Sequence, residues 1–213
     1  MRMTSDPERG KPAGRYHHGN LRAAVLDSTR QLIDQDGLHS VSLRAVARHL
    51  RVTDAALYHY FPTKEALVAA LAADAYLALQ AAVEAAVVTV GPDPCDRLDA
   101  AMRAYVWFGL GNRGRYRVLF GEHALALGGY PETAAAGRAA FTFFSACVTA
   151  CATRAGRDAV DTTRAGWALL HGIVTLVLER EIRFEDDTHS AETLVDTAVG
   201  MFVGDLRRSR QAP

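Results

Sequence analysis

Residues 52–64 read Val-Thr-Asp-Ala-Ala-Leu-Tyr-His-Tyr-Phe-Pro-Thr-Lys. Thr53 is a good N-cap and Pro62 is a firm stop, so the stretch predicts a helix of barely two turns. At about 100° per residue, Leu57, Tyr60 and Phe61 share one apolar face. Asp54, Ala55, Tyr58 and His59 lie off it, towards solvent. An exposed tyrosine and histidine on so short a helix need a reason. The preceding residues supply one. Ser42 can cap a helix whose inner face is Leu43, Val46, Ala47 and Leu50, and Arg51-Val52 leaves only a tight connection. Two short helices joined by a tight turn form a helix-turn-helix, whose second helix enters the DNA major groove. Ala55 and Ala56 then let the backbone approach base edges. Tyr58 can give its hydroxyl to a phosphate, His59 can do likewise or touch a base, and the helix N-terminus offers N–H groups to an anion.

Outward from this unit the pattern stays helical. Upstream, Leu21, Val25, Ser28 and Leu32 recur at spacings of four and three before Gly37. Downstream, Thr63 caps a long helix carrying Leu67, Val68, Leu71, Ala75 and Leu79, which Gly91-Pro92-Asp93-Pro94 ends. Further helices are expected near residues 94–109, 113–127, 131–155, 159–183 and 190–208. Strand-like alternation is scarce. The expected fold is all-α with about nine helices. It divides into a flexible basic arm (1–15), a helix-turn-helix DNA-binding domain (16–66), a linking long helix (67–90) and a ligand-binding and dimerisation domain (91–213). The linking helix belongs to both halves and is the expected lever between them.

Formal charge is zero, but unevenly spread. Residues 1–64 hold ten Lys/Arg and six Asp/Glu, and five of the eight histidines. A basic front on a neutral chain suits a polyanion partner at that end. Cys95, Cys147 and Cys151 are too few and too odd in number for a disulfide framework, and a reducing cytosol fits them best. The N-terminus has no apolar signal region, and the near-apolar run Gly166–Leu178 is short of a bilayer span. A cytoplasmic protein without membrane contact is expected.

Residues 20–67 resemble the DNA-binding domain of the TetR/AcrR family of bacterial transcriptional regulators. The likeness rests on Val41-Ser42-Leu43-Arg44-Ala45-Val46-Ala47, on Val52-Thr53, and on the run Ala56-Leu57-Tyr58-His59-Tyr60-Phe61-Pro62-Thr63-Lys64-Glu65-Ala66-Leu67. It implies a homodimer on palindromic double-stranded DNA. It also implies that Ser42, Tyr58 and Lys64 hold phosphates, while Arg44 and the exposed side of residues 53–59, with Thr53, Asp54, Ala55 and His59, face bases. Two positions depart from the pattern. Arg51 stands where the family often has glycine; if that site needs a positive φ, the side chain costs about 1 kcal/mol, offset by a phosphate contact. Asp54 is acidic where phosphates approach, and either accepts from a cytosine amine or stabilises the helix N-terminus. Arg15, Tyr16, His17 and His18 are either a floppy arm or a minor-groove extension.

In the second half, Trp167-Ala168-Leu169-Leu170-His171-Gly172 resembles the Trp-His-Gly motif of one ligand-binding subclass of that family, and Tyr116–Gly121 is similar to it as well. The resemblance implies a pocket for an unknown, largely apolar small-molecule effector. Its candidate lining is Tyr105, Trp107, Phe120, Phe144, Trp167 and His171. His171 is either a hydrogen-bonded core histidine or a polar contact for the effector. The last two helices imply a dimer interface, with Leu170, Val174, Leu178, Val195, Val199 and Phe202 as candidates. Cys147 and Cys151 share a face, but no further ligand completes a metal set. Glu179–Arg183 reads as a solvated helix end. No cofactor motif appears, and no P-loop, GxSxG or HExxH supports an enzyme. The function expected is a ligand-responsive regulator, a repressor released by a small molecule. A helical ligand-binding or interaction protein without DNA binding, or an enzyme, are the competing classes.

Overall fold

The computed structural model describes residues 21–120, 129–184 and 190–209. The basic arm, Arg15–His18, residues 121–127 of the sixth expected helix and the break around 185–188 lie outside the described residues.

Helix α1 spans Leu21–Asp36 and buries Leu21, Val25, Ser28, Thr29 and Ile33. Ile33, rather than the expected Leu32, completes its inner stripe. Gly37, at φ 82°, turns the chain into a short 3-10 turn, Leu38–Ser40. Helix α2 spans Leu43–Leu50, and the Ser42 hydroxyl accepts from the Ala45 N–H at 3.1 Å. Helix α3 spans Asp54–Tyr60, capped in the same way by Thr53. Between them Arg51 sits at φ 56°, ψ 40°, the left-handed conformation that the missing glycine would have adopted without strain.

Helix α4, Lys64–Val88, begins at a Thr63 cap and carries a buried stripe through Leu67, Leu71, Ala75, Leu79, Val83 and Val87. It packs on α5 (Pro94–Gly111), α6 (Arg113–Phe120) and α7 (Pro131–Arg154), and touches α1. Helices α8 (Ala159–Leu178) and α9 (Ala191–Arg208) close the bundle. α8 stops five residues before the expected 183. Arg180 takes a positive φ of 61° there, and the Glu181 N–H turns back to the Leu176 carbonyl. No glycine announces that stop. α4 and α7 are long and apolar enough to cross a bilayer by length and composition. In this fold the apolar stripe of α4 is spent on the core. The described elements are nine α-helices and one 3-10 turn.

The hydrophobic core is continuous from Leu21 in α1 to Leu206 in α9. The start of α5 is tied to the end of α7 twice. Asp93 caps α5 by accepting from the Cys95 N–H at 2.8 Å and pairs with Arg154, whose hydrogen bond holds the Asp93 carboxyl below its usual range. One turn inward, Cys95 and Cys151 form a disulfide. This corrects the expectation of unpaired cysteines: Cys151 faces Cys95 across the bundle, not Cys147 along its own helix. Cys147 is a free, buried thiol, and burial raises its pKa. Ion pairs Arg103–Asp196 and Arg207–Asp96 fasten α9 to α5.

Candidate nucleic-acid interface and ligand cavity

On α3, Leu57 and Phe61 are buried. Tyr60 is half-buried and packs against the same core. Tyr58 is 46% exposed, and Asp54, Ala55 and His59 also face out. His59 stands edge-on to Tyr60, with ring centroids 5.3 Å apart. Ser42, Arg44, Arg51 and Thr53 are exposed on the same unit, and Lys64 is half-buried at the start of α4. Ser42 and Thr53 serve first as caps; a capping hydroxyl accepts from the backbone and keeps its own O–H to donate.

Asp54 has a role that neither sequence reading contained. Its carboxylate lies 3.8 Å from the Arg44 guanidinium, an exposed ion pair between α2 and α3. Such a pair adds little stability, but it limits where Arg44 can reach. Arg48 was missed altogether. It is exposed and four residues after Arg44, so the two share a face of α2, with exposed Arg51 at the helix end. The i, i+4 spacing of Arg44 and Arg48 was there to be read.

In the second half a cavity of about 170 Å³ lies between α4, α5, α6, α7 and α8. Of the expected residues, Tyr105, Phe120, Phe144 and Trp167 line it. Tyr76, Leu79, Gln80 and Val83 of α4 form a wall; of these the sequence pattern points only to Leu79, as part of the apolar stripe. Exposed Phe141 and Trp167 mark its outer side. Trp107 does not take part: it is 43% exposed on α5 and is not among the lining residues. Among the described residues, the lining has no acid and no base. Its polar tips are the Tyr76 and Tyr105 hydroxyls, the Trp167 indole N–H, which donates to the Tyr105 oxygen, and the Gln80 amide, which donates to Glu84 at 2.7 Å.

His171 stands behind this wall. Its Nδ1 is 2.7 Å from the Tyr116 hydroxyl, which is 3.4 Å from the Tyr105 hydroxyl. The imidazole stacks on Trp167 and meets Phe120 edge-on. Burial pushes the Tyr105 phenol far up, with Tyr116 adding to the effect, and pushes Tyr116 up to about 12. Burial lowers His171. All three groups are therefore neutral near pH 7, and the chain Tyr105–Tyr116–His171 joins α5, α6 and α8 by hydrogen bonds without charge.

α6 also touches the front of the molecule. Gly114 packs so closely on α1 that a Cβ there would overlap the Asp34 carboxylate and come within 3.1 Å of Ile33. Arg113 donates to the Leu178 carbonyl at 2.9 Å, and Arg117 pairs with Glu179 at 3.0 Å, so the exposed end of α8 is also tied to α6. Asp74 of α4 accepts from Arg30 of α1 at 2.6 Å and lies 3.7 Å from Arg115 of α6. Both α4 and α6 thus meet α1, but only α6 carries a residue of the hydrogen-bond chain.

The dimerisation residues need correction. Leu170, Val174, Leu178, Val195 and Val199 are buried within the protomer, and Phe202 is half-buried with its ring 3.2 Å from where a Gly166 Cβ would be. They hold α8 and α9 to the bundle. The outer faces instead present Ala165, Ala168, Gly172 and Leu176 on α8, and Thr197, Gly200 and Met201 on α9, with Met201 70% exposed.

Residues 25–71 match the model for bacterial regulatory proteins of the tetR family, and residues 98–198 match that for the tetracyclin repressor-like C-terminal domain. The finer Trp-His-Gly subclass rests on the resemblance of residues 116–121 and 167–172. The HTH-type transcriptional regulator UidR of Escherichia coli (strain K12) is 34% identical over 50 residues, 24% of this chain and 26% of that protein. Rv1816 of Mycobacterium tuberculosis (strain ATCC 25618 / H37Rv), also an HTH-type transcriptional regulator, is 33% identical over 137 residues, 62% of this chain and 58% of that one. The chain thus spans about a quarter of one curated relative and somewhat over half of the other. A solved structure of a protein with unknown function from Rhodococcus sp. RHA1 superposes with a TM-score of 0.78 at 30% identity, over 90% of this chain and 98% of that chain.

Proposed function

This chain belongs to the tetR family of bacterial regulatory proteins, and from that premise we propose that it is a ligand-responsive transcriptional regulator acting on double-stranded DNA in the cytoplasm. The observation that carries the reading is the division of α3: Leu57 and Phe61 turn into the core, while Tyr58 and His59 stand outside it. An α-helix fits the major groove, and phosphate contacts on either side fix its register. Arg44, Arg48, Arg51 and Lys64 supply the positive charge, Ser42 and Tyr58 neutral donors to phosphate. Asp54 keeps Arg44 pointed at the groove.

The regulator works as a homodimer through the outer faces of α8 and α9, whose small residues let two copies approach closely. Two α3 helices then reach half-sites about 34 Å apart, one turn of a palindromic operator. An effector in the cavity changes that spacing through α6, which touches the cavity wall at Phe120 and α1 at Gly114. A coupling of roughly 1–3 kcal/mol gives a 5–150-fold change in affinity. Release of DNA on binding makes the protein a repressor. Titrating the duplex upstream of its own gene with the intact chain and with Tyr58→Ala and Lys64→Ala tests the reading. Each variant should bind several-fold more weakly; unchanged affinity in both would remove the assigned phosphate contacts.

A further inference from the structure

We propose that the cavity is built for a compact, uncharged molecule with one hydrogen-bond acceptor, such as a ketone or ester oxygen, which takes its hydrogen bond from the Tyr105 hydroxyl. The inference deepens the proposed function by naming the effector's chemistry.

Size comes first. A cavity of about 170 Å³ is close to the ~150 Å³ at which an apolar cavity takes up a single benzene ring. One ring with a short substituent fills it, with Phe141 and Trp167 at its outer side. Charge comes second. Among the described residues, the walls are aromatic and aliphatic, and the polar side chains that line the space are neutral. Arg97 belongs to a different depression, beside Cys147. A carboxylate or an ammonium would leave water here with no counter-charge among the described residues, at a cost of several kcal/mol. Polarity comes third. Tyr105 is buried, and its hydroxyl reaches Tyr116 only at 3.4 Å, well beyond the 2.7–2.8 Å usual for O–H···O. Tyr116 has a better partner in His171 at 2.7 Å. The Tyr105 proton is therefore poorly held, and an acceptor at ordinary distance gains a full bond while sacrificing a weak one. When Tyr105 turns to the ligand, Tyr116 loses its neighbour. Tyr116 sits on α6, two residues from Gly114 and its contact with α1. The group that recognises the acceptor thus touches the element that meets the DNA-binding half.

Three probes of equal size and shape separate these demands: acetophenone, α-methylstyrene, which replaces the carbonyl by a methylene, and benzoate. Quenching of Trp167 fluorescence reports occupancy, in a Trp107→Phe background that leaves one tryptophan. Acetophenone should bind about five-fold more tightly than α-methylstyrene, the size of one neutral hydrogen bond. Benzoate should not saturate. Tyr105→Phe should abolish the preference between the two neutral probes, and Ala140→Phe, which fills the cavity, should weaken both. Benzoate binding as tightly as acetophenone, a preference that survives Tyr105→Phe, or no saturable quenching by any probe would each overturn the proposal. DNA affinity measured without probe stays independent: its absence beside normal probe binding would sink the regulator reading and leave the cavity assignment standing.

Discussion

Replacing Arg51 with glycine separates two demands that meet at one residue. Arg51 ends α2 at φ 56°, ψ 40°. That conformation costs an L-residue roughly 1–2 kcal/mol. Glycine adopts it without the steric penalty but gives up more freedom on folding, about 0.5–1 kcal/mol. The difference leaves Arg51→Gly more stable by about 0.5–1 kcal/mol. For a chain of this size 1 kcal/mol corresponds to about 2–4 °C, so Tm should rise by roughly 1–4 °C. DNA binding should move the other way. Arg51 is exposed at the end of the helix that carries Arg44 and Arg48. Losing one phosphate contact should lower the slope of log K against log salt by about 0.9 per subunit and weaken binding several-fold. Differential scanning calorimetry reads the first effect, and fluorescence anisotropy at a series of salt concentrations the second. A lower Tm would refute the strain argument. A higher Tm with an unchanged salt slope would show that Arg51 is strained for some reason other than DNA.

The Cys95–Cys151 bond closes a loop across 56 residues, for which chain entropy predicts about 4 kcal/mol of stabilisation at most. Cys95→Ser, or dithiothreitol, should lower the urea midpoint accordingly; an unchanged midpoint would mean the bond does not constrain the unfolded chain. Gly114→Ala should keep the helical circular dichroism signal yet change DNA affinity, because the new methyl must displace Asp34 and press on Ile33; unaltered affinity would remove α6 from the coupling. Burial holds His171 below its ordinary pKa of about 6.5, so the unfolded chain binds the extra proton first as pH falls. The stability His171 contributes is therefore whole above about pH 6.5 and is lost below it, down to the folded-state pKa. A His171→Gln variant should lose less stability on acidification than the parent in thermal melts; equal losses would place the proton elsewhere.

Local chemistry was the legible part of this sequence. Ser42, Thr53 and Thr63 cap helices because their side chains satisfy backbone N–H groups within three residues, and nothing distant is needed to see it. The split faces of α3 follow from seven residues and a 100° step. What escaped depends on which stripe of an apolar helix meets which neighbour. α4 is apolar on several sides, so periodicity could not tell that Tyr76 and Gln80 face an open space while Leu71 and Ala75 face the core. Leu170 and Val199 were drawn to the dimer interface by hydrophobicity, but the most apolar residues are buried first inside their own protomer. The surface left for a partner is smaller in side chain and more mixed, as at Gly172 and Leu176. The pairing of Cys95 with Cys151, and of Arg44 with Asp54, joins different helices and has no signature in spacing.

The central claim is that the outer side of α3, presented twice by a dimer, reads duplex DNA. Selection of bound sequences from a pool of random duplexes tests it directly. The account predicts enrichment of one inverted repeat with half-site centres about one helical turn apart, lost when the pool is selected with Tyr58→Ala. A pool that stays random with the intact chain, or enriches an identical site with the variant, would contradict it.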